Sequence, residues 1–161
     1  MKRKISLSMC CIAAFSVLIT ALMISLVLYN RNYKNMTNYI QNEAEYMAAA
    51  MNYNGVEYLD SVKDVSPSRI TWIANDGNVI FDNSGKKMEN HSDRSEFKEA
   101  IKSGIGESSR LSETLGKKTY YYAILMNDGT VLRISDTTSS IFSDIFSSLP
   151  VSYTHLTLPT T

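Results

Sequence analysis

The sequence predicts an α+β domain: a central antiparallel sheet of about five strands with helices packed on it, preceded by a transmembrane helix that continues into a long helix. Three observations carry this. One long run near the N-terminus has no charge, two later stretches alternate polar with apolar residues about an Asn-Asp-Gly turn, and a short amphipathic segment lies between them.

The 161 residues carry 16 basic and 16 acidic side chains, but the zero net charge hides an uneven distribution. Lys2, Arg3 and Lys4 make a basic start, and no Asp or Glu precedes Glu43. Beyond residue 30 the chain is mildly acidic, which argues against nucleic acid as a partner. Cys10 and Cys11 are adjacent within the apolar run, so the remainder has neither a disulfide framework nor a thiolate metal site.

From Ile5 to Tyr29 no residue is charged. As a helix this run is about 37 Å long, enough to cross a hydrocarbon core of about 30 Å with some tilt. It is longer than a signal-peptide core and ends in Leu-Val-Leu-Tyr without a small-residue cleavage site, so it reads as an uncleaved anchor. Met9 before Cys10 disfavours a lipoprotein site. The basic start belongs in the cytoplasm by the positive-inside rule, so residues 30 onward face outside the membrane.

Residues 30–54 read as a helix leaving the bilayer. Tyr33, Met36, Ile40, Ala44, Met47 and Met51 form one apolar stripe, suited to packing on the domain, on a second copy, or on both. Gly55 is a fitting stop. A short helix with Val56, Leu59 and Val62 on one side follows, and Pro67 breaks it. RITWIANDGNVIFDN, 69–83, is a hairpin turning at Asn75-Asp76-Gly77-Asn78, and 119–136 repeats the design at Asn127-Asp128-Gly129. Between them, Asp93 with Glu96 suggests a capping box for a helix that faces Phe97, Ala100 and Ile101 inward and ends at Gly104. Residues 106–114 read as a strand leading to a turn at Leu115-Gly116.

No catalytic constellation is visible. His91 is the only histidine before the tail, and a lone loop histidine is expected to be solvated. No second histidine completes a triad, and the glycines form turns, not a phosphate-cradling loop. No metal site is expected. Binding is more plausible: Tyr120 and Tyr122 share one strand face while Thr119, Tyr121, Ala123 and Leu125 share the other. A tyrosine-rich face could line a pocket, or pack as core between sheet and helix. Arg94, Arg110, Arg133 and Asp82 are the candidate polar partners of such a pocket.

The anchor, the long helix, ITWIANDGNVIFDN, MENHSDRSEF and TYYYAILMNDGTVLRIS together resemble the extracytoplasmic sensor of bacterial sensor histidine kinases, of the phosphate-response and cell-wall type found in Firmicutes. That sensor is a single PAS-like, or Cache, domain. The resemblance covers roughly residues 1–148. It implies a membrane-embedded homodimer that senses an extracytoplasmic ligand and signals across the bilayer in a two-component system. It also implies a second transmembrane helix, a HAMP linker and an ATP-binding kinase domain acting on a response regulator. None of the kinase parts is in this sequence, so no catalytic residue and no cofactor is assigned to it; ATP belongs to the implied parent. A chemoreceptor, a cyclic-dinucleotide enzyme or a simple anchored binding protein could carry the same sensor. A pilin-like subunit would need a Gly-Phe-type processing site, which is absent.

The expected organisation is a cytoplasmic start at 1–4, a transmembrane helix at 5–29 and the sensor domain at 30–136. The start of a truncated second span would follow at 137–150. The tail VSYTHLTLPTT, 151–161, resembles a translated sequencing adapter and is expected to be non-native.

Overall fold

The computed structural model describes residues 2–85, 89–112 and 117–138. The expected turn at Leu115-Gly116, nearly all of the expected second span and the whole tail lie outside them. The chain divides into two compact units with a boundary between Asn35 and Met36.

Helix α1 runs Lys2–Asn54, and no Gly or Pro interrupts that stretch. Gly55 ends it at φ +68, a left-handed value at which a side chain would be strained. In the first unit the apolar run is exposed on all sides and has a mean hydropathy of 2.6, so it is long and apolar enough to cross a membrane.

The second unit is built on a five-stranded antiparallel sheet. Its elements are α2 (Glu57–Val62), β1 (Arg69–Ile73), β2 (Val79–Asp82), α3 (Ser95–Ser103), β3 (Ile105–Ser112), β4 (Lys117–Leu125) and β5 (Val131–Thr137). The strand order β2-β1-β5-β4-β3 puts the last strand in the centre. Both expected hairpins are present, β1–β2 and β4–β5. Their turns are near copies. Gly77 and Gly129 adopt φ +86 and +82. The Oδ1 of Asp76 and of Asp128 each accepts the backbone N–H two residues on, at 2.9 Å.

Because β5 is central, it is covered on both faces. Leu132 and Ile134 point to α1, where Ile40, Ala44, Met47 and Met51 are buried against them with Ile70, Tyr120 and Tyr122. Each fully buried aliphatic side chain there contributes about 1.5–3 kcal/mol. From Met36 to Met51 the predicted stripe on α1 packs on its own sheet. The other face carries α3, whose Phe97 and Ala100 pack with Ile73, Ala123 and Val131. The end of β5 lies beside α1. Burial pushes the Tyr39 phenol pKa up, and the nearby carboxylates of Glu43 and Asp136 push it further.

Three local expectations need correction. Asp93 does not cap α3: Arg94 is the N-cap residue, no side chain caps it, and Asp93 pairs with Lys98 instead. The capping box fails because Glu96 turns into the interior. Ile101 remains exposed on the outer side of α3. His91, expected in solvent, is 4% exposed.

Candidate functional site

The α3-facing side of the sheet is half apolar and half charged. Register explains the charged half. Thr71 of β1 is opposite both Asp82 of β2 and Arg133 of β5, and cross-strand partners share a face. On the other flank Ser108 of β3 is opposite Tyr121 and Arg110 is opposite Thr119. Asp82, Thr71, Arg133, Tyr121, Ser108 and Arg110 consequently form one surface, beneath the first turn of α3.

Glu96 drops into that surface from α3. Its Oε1 accepts from Arg133 Nη1 at 3.2 Å. Its Oε2 accepts from Ser108 Oγ at 2.7 Å and also from the Arg110 guanidinium. Arg133 Nη2 donates to Thr71 Oγ1 at 3.1 Å, and Thr71 donates on to Asp82 Oδ2 at 2.9 Å. Arg69 closes the far end with Nε 3.0 Å from the same oxygen. A continuous polar chain thus crosses the sheet from β2 to β3, with α3 tied to its middle. Tyr121 lies under both guanidiniums, its ring centroid 4.4 Å from that of Arg110 and 5.3 Å from that of Arg133.

The electrostatics follow. Burial pushes the Glu96 carboxyl up, but hydrogen bonds from Ser108 and Arg110 outweigh it and hold the pKa below the ordinary value. Asp82 behaves alike: burial raises it, and hydrogen bonds from Ser84, Arg69 and Thr71 bring it below normal. Arg133, 3% exposed, is lowered by burial and supported by Glu96. His91 is lowered to about 4, first by burial and then by the positive field of Arg133 and Arg94, so its imidazole is neutral at pH 7. Among the described residues, two buried side-chain atoms have no hydrogen-bond partner, Arg133 Nε and His91 Nδ1.

Close backbone approach makes this arrangement possible. A Cβ on Gly106 would overlap the Glu96 carbonyl oxygen, so only glycine lets α3 sit low enough for Glu96 to reach both arginines. Likewise a Cβ on Gly77 would stand 2.5 Å from Asn90 Oδ1 and the Ser92 nitrogen. His91 N–H donates to the Gly77 carbonyl at 2.7 Å, and Asn90 Nδ2 donates to Asp76 O and Asn78 Oδ1. The Asn90–Ser92 loop is docked on the first hairpin turn, which is why His91 is buried.

The family model described as Single Cache-like matches residues 30–131, more than half of the chain. The chain belongs to the single Cache-like family. No curated protein matches it.

Of the residues singled out from sequence, the Cache-like domain brings together Arg110, Arg133 and Asp82. Arg94 stands exposed at the rim, at the start of α3. Tyr120 and Tyr122 are on the opposite face, each 4% exposed in the core against α1. Tyr120 Oη accepts from Gln41 at 3.0 Å and donates to Glu107 at 2.8 Å, and burial raises its pKa. Glu96, Thr71, Ser108, Tyr121 and His91 were not expected at this site. Glu96 had a readable cue: it stands four residues before Ala100, on the inward face of α3.

Chemically, two guanidiniums with convergent donors recognise one carboxylate, and that carboxylate comes from the chain itself. No nucleophile and base are paired here. Among the described residues, no group of three or more His, Cys, Asp and Glu side chains is placed to hold a metal ion.

Proposed function

We propose that this chain is the extracytoplasmic signal-sensing region of a membrane-spanning sensor histidine kinase in a two-component system, working as a homodimer. The observation that carries the reading is an apolar helix of membrane length running, in one chain, into a Cache-like domain. The α3-facing site supplies the sensing element. A signal that loosens Glu96 from Arg133 frees α3 from the central strand, and a ligand or envelope condition acts by favouring one of those two states. The basic start at Lys2, Arg3 and Lys4 supports a cytoplasmic N-terminus.

Two experiments test this. Alkaline phosphatase joined after Thr138 is expected to be active in cells and β-galactosidase joined there inactive; the reverse pattern overturns the orientation. The chromosomal reading frame beyond codon 150 is expected to encode a second span, a HAMP linker and a histidine-bearing dimerisation helix. A different output domain there refutes the kinase assignment and leaves the sensing module standing.

A further inference from the structure

A concavity lies on the other side of the sheet, between α1, α2 and the segment leading into β1, away from the Glu96 network. Its volume is about 510 Å³, within the range of small-molecule sites. Tyr39 and Tyr46 of α1, Tyr58 and Val62 of α2, and Pro67 form its walls, with Glu43 among them. Tyr46 and Tyr39 are not core residues, being 76% and 50% exposed, while Tyr58 packs in part on the α1 cluster.

Glu43 gives the groove its chemistry. It is the sole charged side chain of the lining, and no lysine or arginine lines the groove among the described residues. Its Oε1 accepts from Ser66 Oγ at 2.7 Å and its Oε2 from Ser68 Oγ, so neutral hydroxyls fix the carboxylate without cancelling its charge. The Tyr39 phenol pKa is pushed up by burial first, then by the negative charges of Glu43 and Asp136. A concave surface of aromatic faces with a fixed carboxylate attracts cations through both the ring quadrupoles and the full charge, and it repels carboxylates and phosphates.

We propose that this groove binds a small organic ammonium ion, its cationic head against the Tyr39, Tyr46 and Tyr58 rings beside Glu43. The site is separate from the α3-facing network, and the proposal stands whether or not the receptor reading is correct. A second copy of the chain seated on α1 is the competing occupant; the fixed carboxylate among the tyrosines favours a cation instead.

The test uses the full chain in dodecyl maltoside, which has no ammonium group. Choline is compared with its neutral isostere 3,3-dimethylbutan-1-ol by calorimetric titration and saturation-transfer NMR. Choline is expected to bind saturably and at least tenfold more tightly than the isostere. Glu43→Gln is expected to weaken it at least fivefold, and Tyr46→Ala similarly. Tyr46 is too exposed for its loss to unfold the domain, so it keeps the test valid should Glu43→Gln destabilise the Ser66–Ser68 segment. Equal binding of the isostere makes this a plain apolar groove and overturns the proposal. So does choline binding that both substitutions leave intact, or no saturable binding because a second copy closes the groove.

Discussion

Replacing Glu96 with Gln removes the one carboxylate that Arg133 and Arg110 share and leaves every atom position filled. Arg133 is 3% exposed and its Nε already has no partner. Breaking a buried pair from one side strands the other charge, at a cost of about 3–5 kcal/mol. The amide oxygen can still accept one bond, so the lower end, about 3 kcal/mol, is expected. That is a large share of a typical domain stability of about 5–15 kcal/mol. With a urea slope of about 1.5 kcal/mol/M, the midpoint falls by roughly 2 M. Trp72, the single tryptophan, is a built-in probe: it is part of the sheet, with Nε1 donating to Thr130 Oγ1 at 2.8 Å. Urea melts of the detergent-solubilised chain, followed by its emission, measure the shift. The double substitution Glu96→Met with Arg133→Met exchanges the pair for apolar volume and is expected to recover most of the loss. A midpoint change below about 0.5 M for Glu96→Gln would mean that the pair is solvated, and the account of a dry network between α3 and β5 would fail.

Three more expectations follow from the same geometry. His91 titrates near 6.5 when unfolded and at about 4 when folded, so acid favours the unfolded chain. Stability is expected to be complete above about pH 6.5 and to fall toward pH 4 by up to about 3 kcal/mol. His91→Gln should flatten that slope in urea melts taken across the range, and identical slopes would refute the burial. The lowered pKa values of Glu96 and Asp82 add their own loss only at lower pH, as it falls through their folded values. Gly106→Ala is expected to cost about 3 kcal/mol or more, because its Cβ meets α3 backbone that cannot swing aside; thermal melting measures it. Tyr120→Phe should cost only about 1 kcal/mol, since Gln41 and Glu107 keep access to water. A loss above about 3 kcal/mol in the same assay would show that these partners are dry.

The elements were legible in sequence wherever a local rule decides them. The two Asp-Gly turns, the stop at Gly55 and the end of α3 at Gly104 all rest on positive φ. The site was legible only in part. Alternation along β4 separates Tyr120 and Tyr122 from Tyr121, but it cannot say which helix covers which face when both are covered. The tyrosine pair went to α1, and Tyr121 went under the arginines. The acidic residue after Asp93 suited a helix cap by spacing, and only the close approach at Gly106 turned it inward. His91 was hidden for a similar reason, since its burial depends on a loop docking on a turn some fourteen residues earlier.

Leu132 and Ile134 share one buried cluster with Ile40 and Ala44, which places the last strand of the domain next to its first helix. A domain that begins and ends at one corner behaves as a cassette: it can be spliced into a chain at a single joint without prising apart what flanks it. It also shortens the mechanical path. Arg133, which holds Glu96, is three residues before Asp136 on the same strand, so a tug on α3 reaches the hem of the domain with almost no linkage in between.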